Sequence, residues 1–390
     1  MKEHSIFSPS RLKRIIACPA SIPLEQVLFN NGKLKPQKPS IDAEHGSNLH
    51  DITHRVTPPF VTKRNILDTY DLSIDDKSYV QDCVDYLNRL IKAIGHNNYV
   101  VLSEHKVSLA SWGISDVWGT SDKIILDMQR FHVDIIDWKF GFGAVLAEEN
   151  EQLLAYAAGA IGVDSNIKTI TLHVVQPPVN SYSTYDLTYF DLFEWVHKTL
   201  AIAVNNAKRT DIQAFNPGKE QCQWCPCALF CDARYTQVQA EASHLFEMQK
   251  FLPEHLTFEQ INELISFGND IQEAISMYTR SIMAQLSAGS SVPGWKLVRG
   301  KSNRRWKDET AAMSWLADNT KNIDQMFVTK FASPAQAEKL NKQLKANKDF
   351  QNLYEKPPGK ISLAAESDPR PSISPDSNAE SVFSKYGDPA

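Results

Sequence analysis

The chain has 390 residues, of which 42% are hydrophobic, enough for one large core together with a second domain or a tail. The formal net charge of −5 at pH 7 excludes a generally basic nucleic-acid coat but leaves room for a local basic groove. The sequence has neither an apolar run of about 18 residues nor an apolar signal core near its start, so we expect a cytoplasmic protein without a membrane span.

Hydrophobic periodicity predicts an alternation of helices and strands over the first half of the chain. Apolar side chains spaced three and four residues apart predict helices at Ser10–Ala17, Ala43–Val56, Asp75–Gly95, Asn150–Gly162 and Asp191–Lys208. Runs rich in β-branched residues predict strands at Tyr99–Leu109, Val117–Leu126, His132–Trp138 and Lys168–Val175. The order α-βββ-α-β-α indicates an α/β protein with a mixed sheet flanked by helices.

The second and third of these strands both carry carboxylates, and a lysine follows the third strand. Asp122 comes after a short Gly-Thr-Ser segment, and Asp137 lies two residues before Lys139. Since successive side chains of a strand point to opposite faces, Asp137 and Lys139 project the same way. If the two strands pair as a hairpin, Asp122 comes near Asp137, and two carboxylates together suit Mg²⁺. An Asp-x-Lys at the end of a strand is also common on a solvated surface.

Further residues follow in a fixed chain order. His50 lies on a predicted helix, and Gln152 and Tyr156 stand four residues apart on one face of another. Together with the two acids and the lysine, they resemble the PD-(D/E)xK nuclease superfamily, in particular its RecB/Cas4-like branch. In this resemblance the D/E-x-K element is Asp137-Trp138-Lys139, and the G-x-x-D element is the segment 119–122.

The resemblance covers about residues 8–235 and implies a restriction-endonuclease-like core that hydrolyses phosphodiester bonds of DNA as an exonuclease. It implies that His50, Asp122 and Asp137 bind Mg²⁺ or Mn²⁺ and that Lys139 acts on the nucleophilic water. The glutamine and tyrosine would position DNA or the active-site strand. Glu104 on the first strand would assist the active-site residues without binding the metal ion itself. The alternative is a non-catalytic iron–sulfur protein that binds DNA or acts as a scaffold and keeps the nuclease fold.

Four of the six cysteines fall within the segment QCQWCPCALFC. Because thiols stay reduced in the cytosol, this density predicts metal or cluster ligation rather than disulfides. Cys222, Cys225 and Cys231 supply three thiolates, and Cys18 is the predicted fourth. One cysteine before the nuclease motifs and three after them resemble the iron–sulfur clip of Cas4 and AddB-type nucleases, which implies a [4Fe–4S] cluster. A structural Zn²⁺ site is the alternative, and Cys227 leaves the spacing ambiguous.

Beyond residue 235 the composition changes. A long amphipathic helix is predicted at Thr257–Ala288, with a capping box formed by Thr257 and Gln260. The segment GWKLVRGKSNRRWKDE then interleaves basic residues with tryptophans, which suits a nucleic-acid surface as well as an exposed hairpin. Its candidate DNA contacts are Arg299, Lys301, Arg304 and Arg305. The predicted domains are the core at 1–235, a helical and basic accessory region at 236–354 and a Pro/Ser-rich disordered tail at 355–390.

The C-terminal arrangement, including KPPGK and ESDPRP, resembles phage-encoded proteins of the DUF2800 type. This resemblance implies DNA recombination, repair or replication, in the cytoplasm of a bacterial host cell, as the setting. The expected partner is linear DNA, single-stranded or double-stranded. A recombination protein, or a single-strand-binding or annealing protein, is the expected second partner.

Overall fold

The computed structural model describes residues 5–36, 41–58, 66–163, 165–209, 215–248, 256–300, 304–319, 333–357 and 361–373. The chain divides into two compact units, residues 1–278 and residues 279–390. Within the described ranges, no helix is both long enough and apolar enough to cross a membrane.

A five-stranded mixed sheet forms the centre of the first unit. Its strands lie side by side in chain order, and they are β1 Tyr99–Leu109, β2 Ile114–Asp127, β3 His132–Trp138, β4 Thr169–Gln176 and β5 Ser181–Thr188. Neighbouring strands run antiparallel except β3 and β4, which are parallel. Because a parallel pair needs a crossover connection, a helix lies between β3 and β4 in the chain.

Helices precede, interrupt and follow the strands of this sheet. They are α1 Leu12–Ala17, α2 Ser21–Asn30, α3 Ile41–Val56, α4 Ile74–Ile94, α5 Glu151–Ile161, α6 Tyr189–Trp195, α7 Ala201–Lys208, α8 Lys219–Gln223, α9 Asp232–Met248 and α10 Phe258–Ser287. The crossover helix is α5. A π-helical turn at Val196–Leu200 joins α6 to α7 in one continuous helical run.

Helices cover both faces of the sheet because β3 is apolar on both of its sides. On one face, Val133 and Ile135 pack in a core that includes Leu153 of α5. On the other face, Ile136 packs in a core that includes Leu87 of α4. The mixed sheet flanked by helices that the sequence predicts is therefore confirmed.

The position of α5 is set by its first turn and by one close contact. The side chain of Asn150 accepts hydrogen bonds from two backbone N–H groups of the first turn, so the helix begins at Glu151. Near the other end, Gly159 lies so close to β1 that an added Cβ would fall 2.9 Å from Cβ of Val107. Only a glycine allows this approach, which holds α5 across β1, β2 and β3.

Most of the predicted elements of the first unit are present. Strands β1 and β3 have the predicted bounds, and α3, α4 and α5 end within two residues of theirs. The predicted capping box before α10 is present, with Thr257 N–H donating to Oε1 of Gln260 at 3.0 Å. Helices α2, α8 and α9 and strand β5 lie outside the prediction. Strand β5 is an edge strand of largely polar sequence, SYSTYDLT, which lacks the apolar run that marks the other strands.

The second unit contains two small antiparallel sheets and an apolar cluster. Strand β6 Trp295–Arg299 pairs with β9 Ile361–Ala365, and β7 Arg305–Trp306 pairs with β8 Tyr354–Glu355. Its helices are α11 Glu309–Asn319, α12 Pro334–Leu340 and α13 Lys348–Asn352. Leu316, Leu344 and Phe350 form the buried cluster, and Trp306 packs against it.

Strand β9 corrects the prediction of a disordered tail from residue 355 onward. Ile361–Ala365 is paired along its whole length, and the N–H of Ile373 donates to the carbonyl of Leu297 at 2.8 Å. The Pro/Ser-rich composition hides this strand because its apolar run, ISLAA, is short. Residues 374–390 of the predicted tail lie outside the described residues. The boundary between the compact units follows residue 278, whereas the predicted core ends at residue 235, inside α9.

Candidate active site and cysteine cavity

Asp122 and Asp137 lie opposite each other where β2 and β3 stop pairing. The ladder ends with Lys123 opposite Ile136, and the same register continues to Asp122 opposite Asp137. Directly opposed residues of an antiparallel pair point to the same face of the sheet. The backbone N–H of Trp138 donates to Oδ2 of Asp122 at 2.8 Å, which fixes this carboxylate at the end of the ladder. The hairpin thus brings the two acids together.

Lys139, Gln152 and Tyr156 join Asp137 in one network. Nζ of Lys139 lies 2.7 Å from Oδ2 of Asp137 and donates to Oε1 of Gln152 at 3.4 Å. Nε2 of Gln152 donates to Oδ1 of Asp137 at 3.2 Å and to the hydroxyl of Tyr156 at 3.1 Å. Helix α5 therefore contributes an amide that orients the acid and the lysine together.

His50 reaches the same cluster from α3. Its Nδ1 lies 3.4 Å from Oδ2 of Asp122, and its ring packs edge-on against Phe140 with 5.2 Å between ring centroids. The neighbouring Leu49 is buried in the core that α3 shares with α4, so packing sets the position of the helix. The residues that the structure brings together are His50, Asp122, Asp137, Lys139, Gln152 and Tyr156, named here the acid cluster.

The charges of the acid cluster shift one another's pKa values. Burial raises the pKa of Asp137; Lys139 opposes this effect and Asp122 adds to it. Burial acts in the same direction on Asp122, but His50 and the N–H of Trp138 outweigh it, so the pKa of Asp122 is lowered. Burial lowers the pKa of His50, yet the Asp122 carboxylate outweighs it and the pKa is raised. The two carboxylates, the imidazole and the ammonium are thus electrostatically coupled.

Glu104 forms part of the wall of the acid cluster. Its φ of +46° is a left-handed backbone conformation that residues with a side chain rarely adopt. The pairing on either side of it places Glu104 opposite Asp122. Burial and then Asp137 raise the pKa of Tyr156, and Glu104 contributes in the same direction. The sequence places Glu104 near the site, but nothing in β1 marks its change of backbone conformation.

The glycine of the G-x-x-D element has a steric role. A Cβ added to Gly119 would fall 2.7 Å from Cδ of Pro9 and 3.4 Å from Cε1 of Tyr156. The N-terminal turn at Pro9–Arg11 therefore packs over Gly119, directly beside the acid cluster. A larger side chain at this position would push the turn away from Tyr156.

Sequence reasoning missed a second polar cluster, on the other face of β2. Lys123 is fully buried, and it donates to the carbonyl of Pro58 at 2.8 Å and to the hydroxyl of Ser103. Nδ1 of His54 lies 2.5 Å from the same hydroxyl. Burial lowers the pKa of Lys123 to about 8. These contacts tie the end of α3, the helix that carries His50, to the sheet. The alternation of side chains along β2 could have revealed this inward lysine.

Five cysteines line one cavity of about 350 Å³, solvent at its mouth included. Cys18 lies at the end of α1, and the other four lie in α8 or in the segment after it. The cavity therefore joins two distant parts of the chain. The lining cysteines are Cys18, Cys222, Cys225, Cys227 and Cys231. The remaining cysteine, Cys83, is fully buried on α4 in the core of the sheet.

Two arginines lie beside this cysteine cavity. Nη1 of Arg14 donates to Sγ of Cys225 at 3.5 Å. The pKa of Cys225 is lowered to about 6, first by a hydrogen bond from the Cys227 thiol and then by the charge of Arg14. Burial raises the pKa of Cys222, and the buried guanidinium of Arg234 opposes that effect. Nearby cations favour the thiolate, which is the form of cysteine that binds metals.

Within the described ranges, no group of three or more His, Cys, Asp or Glu side chains is arranged, as it stands, to hold one metal ion. In the acid cluster the donors are engaged with one another. Their chemistry, one imidazole and two buried carboxylates, nevertheless fits a hard divalent cation. Five thiols around one cavity fit a thiolate-ligated iron–sulfur cluster, whereas zinc needs four of them around a single centre.

The basic residues predicted to contact DNA lie in the second unit. Arg299 ends β6. Arg304 forms a two-pronged ion pair with Glu338, with Nη2 2.7 Å from Oε2. Lys301 and the side chain of Arg305 lie outside the described residues. The contacts of Arg304 are thus made within its own unit.

The sheet and its two sites define a mixed α/β protein with an acid cluster at the end of a hairpin and a cysteine-lined cavity. The chain belongs to the DUF2800 family, whose sequence model matches residues 4–371 and is described as "Protein of unknown function". The solved structure titled "Crystal structure of SSO0001" is 12% identical, and the match covers 60% of this chain and 89% of that chain. Its TM-score of 0.25 does not establish a shared fold.

Proposed function

We propose that this protein is a metal-dependent deoxyribonuclease of the PD-(D/E)xK superfamily, built on a restriction-endonuclease-like core, that acts as an exonuclease. The observation that carries the proposal is the acid cluster itself. Its side chains come from α3, β2, β3 and α5, and they meet in one continuous set of polar contacts. Each has the chemical type that hydrolysis of a phosphodiester requires.

His50, Asp122 and Asp137 would hold Mg²⁺ or Mn²⁺. When bound, such an ion lowers the pKa of a coordinated water and offsets charge on the phosphate. The two carboxylates face each other across the hairpin, and Asp122 adds to the raised pKa of Asp137. This repulsion favours a cation between them. The imidazole of His50, 3.4 Å from Asp122, adds a nitrogen donor on the α3 side.

Lys139 would orient the nucleophilic water and stabilise the charge that develops on the phosphorus. Burial lowers its pKa, but Asp137 outweighs this effect, so the pKa is raised and the ammonium keeps its charge. Gln152 contacts Lys139 and Asp137 at once, and it therefore fixes the position of the ammonium relative to the carboxylate. Tyr156 extends this network toward the N-terminal turn, where a DNA strand would be positioned.

The cysteine cavity would hold a [4Fe–4S] cluster through Cys18, Cys222, Cys225 and Cys231. Arg14 and Arg234 would offset the negative charge of the thiolates. Cys227 is buried, and its thiol donates a hydrogen bond to the carbonyl of Ser21 at 3.6 Å, which needs the protonated thiol and so favours the other four as ligands. Such a cluster would tie α1 to the segment after α8 and so close the two ends of the core. Structural Zn²⁺ is the alternative occupant.

Linear DNA, single-stranded or double-stranded, is the proposed substrate. The proposed setting is DNA recombination, repair or replication in the cytoplasm of a phage-infected bacterium, with a recombination protein or a single-strand-binding or annealing protein as partner. This setting rests on the resemblance of the sequence to phage-encoded proteins.

The test compares wild-type protein with Asp137→Ala and with Asp186→Ala, all purified without oxygen. Asp186 is the matched control, since it lies on edge strand β5 of the same sheet, where Thr171 donates to it at 2.6 Å. End-labelled linear DNA and closed circular DNA are incubated with Mg²⁺ or Mn²⁺. We expect the wild type and Asp186→Ala to degrade only the linear DNA, and Asp137→Ala to be slower by at least about 100-fold.

Full activity in Asp137→Ala would show that the acid cluster is not the active site. A wild type that binds DNA with the same affinity as Asp137→Ala and cleaves none would instead favour the non-catalytic DNA-binding or scaffold role. Visible charge-transfer absorbance and bound iron identify the cluster. Colourless protein that contains zinc would replace the cluster with a zinc site.

A further inference from the structure

A groove beside the cysteine cavity is lined by cations and exposed aromatic rings. It holds about 1070 Å³, solvent at its mouth included, and its walls come from α1, α2 and residues 219–231, which we name the cysteine segment. Trp224, which lies between two of the cavity cysteines, is 72% exposed, and Phe29 is 41% exposed. Large aromatic side chains clustered at a surface indicate a contact with a partner. We name this feature the α1 groove.

The α1 groove carries more positive than negative side chains. Two carboxylates of the wall are already paired: Glu25 contacts Arg11 and Arg14, and Glu220 lies 2.7 Å from Nζ of Lys13. Lys35 is a fourth cation, so the lining of the groove holds four cationic side chains and two carboxylates. The whole chain carries −5, and a local positive surface on such a protein selects a polyanion.

The α1 groove begins next to the acid cluster. Ser10 lines it, and the preceding Pro9 packs beside Tyr156. Lys13 also lies close enough to Glu151, the first residue of α5, for each charge to act on the pKa of the other. The groove therefore runs along α1 from Ser10, past Lys13 near the first turn of α5, to the exposed tryptophan.

We propose that the α1 groove binds a segment of single-stranded DNA, with phosphates near Lys13 and an unpaired base stacked on Trp224. The proposal rests on the nuclease function above and gives the substrate strand a path away from the acid cluster. Cations that follow the backbone and aromatic rings that stack on bases are the general means of binding single strands. A duplex keeps its bases stacked inside and cannot use Trp224 in this way, and an acidic peptide gains little from the exposed ring.

The test measures the affinity of the full-length protein for a fluorescein-labelled single strand and for the matched duplex, by anisotropy without added Mg²⁺ or Mn²⁺. Trp224→Ala is expected to weaken single-strand binding about tenfold, because stacking of one base contributes about 1–3 kcal/mol. Trp224→Phe keeps an aromatic ring and should retain most of the affinity. The control Phe190→Ala removes another ring, 64% exposed on α6, and should have no effect.

A second variant tests the path through its charge. Lys13→Gln should reduce the slope of log affinity against log salt by about 0.7, the value for one phosphate contact on a single strand. Lys198→Gln is the matched control. Lys198 forms a similarly exposed ion pair with Glu194 in the helical run after β5, outside the α1 groove. Its salt slope should equal that of the wild type.

Unchanged single-strand binding in both Trp224→Ala and Lys13→Gln would overturn the proposal. Equal losses for the duplex would overturn its single-strand assignment, and so would a poly-glutamate peptide that competes more strongly than the single strand. Visible absorbance equal to that of the wild type shows that the cysteine segment of each variant is intact. Because binding is measured without divalent ions, these outcomes are independent of whether Asp137→Ala abolishes cleavage.

Discussion

The acid cluster and the cysteine cavity lie in the same unit, but the chain assembles them by different means. The acid cluster depends on the β2–β3 ladder and on α5, which follows β3 directly in the chain. The cysteine cavity depends on the meeting of Cys18 with the segment after α8. Backbone hydrogen bonds and core packing therefore place five members of the acid cluster, to which α3 adds His50, whereas the cysteine cavity joins distant segments through its side chains.

The hydrogen bonds inside the two sites also differ in strength. Gln152 and Lys139 make charge-assisted or amide hydrogen bonds with the acids. In the cavity the contacts involve thiols, such as that of Arg14 with Cys225 at 3.5 Å, and sulfur is a weak hydrogen-bonding partner. On the proposed function, we therefore expect the acid cluster to keep its geometry without a bound ion, and we expect a bound cluster or metal to add more to the stability of the cysteine cavity.

The largest expected effect is that of Cys18→Ser. Loss of a structural metal centre removes binding free energy that contributes directly to folding, so we expect the free energy of unfolding to fall by about 4 kcal/mol or more. Denaturant unfolding and iron content measure the two effects together. The control is Cys83→Ser, which changes a buried cysteine of α4 outside the cavity and should keep its iron. Normal iron in Cys18→Ser together with loss of iron in Cys227→Ser would exchange the roles of these two cysteines.

Addition of Mn²⁺ should stabilise the wild type without being needed for its fold. At an ion concentration 100 times the dissociation constant, the expected gain is about 2.7 kcal/mol, because only the folded state offers the site. Thermal unfolding with increasing Mn²⁺ measures it. Asp137→Ala should show no gain and Asp186→Ala the full gain. A gain of equal size in Asp137→Ala would place the ion elsewhere.

A smaller loss is expected for Gln152→Ala. This change removes the amide that orients Asp137 and Lys139 but leaves the proposed ligands, and losses of such supporting contacts lower activity about 10–100-fold. Steady-state cleavage of linear DNA measures it. Gln81→Ala, which removes an amide bonded to Asp85 on the exposed side of α4, is the control. If both variants keep full activity, α5 does not orient the cluster.

The last expected effects come from two glycines, concern stability alone, and have opposite signs. Gly159→Ala adds a methyl group where β1 leaves no space, so we expect a loss of stability of about 1–3 kcal/mol. Gly46→Ala lies inside α3 with no atom within 4 Å of the added group, so it should gain up to about 1 kcal/mol from helix propensity. Thermal midpoints measure both. A thermal midpoint of Gly159→Ala equal to that of the wild type would show that α5 shifts away from β1 without cost.

The elements that carry the acid cluster could be predicted because their signals are local. The β-branched run of β3 and the regular spacing of α5 each decide one element, and the turn between β2 and β3 is short enough to imply a hairpin. Elements with weak local signals were missing from the prediction. β5 is a polar edge strand, and β9 is a short run inside a Pro/Ser-rich segment, so pairing with a neighbour rather than composition makes each a strand.

The sequence by itself determined which chemical groups the two sites contain, because residue type and chain order need no tertiary contact. It also determined that Asp137 and Lys139 share a face, since that follows from the alternation of one strand. Only the tertiary structure decided that the fifth thiol, Cys227, lines the same cavity and that α1 and Trp224 border one groove. These features depend on contacts between segments far apart in the chain, and no local pattern of residues encodes such distances.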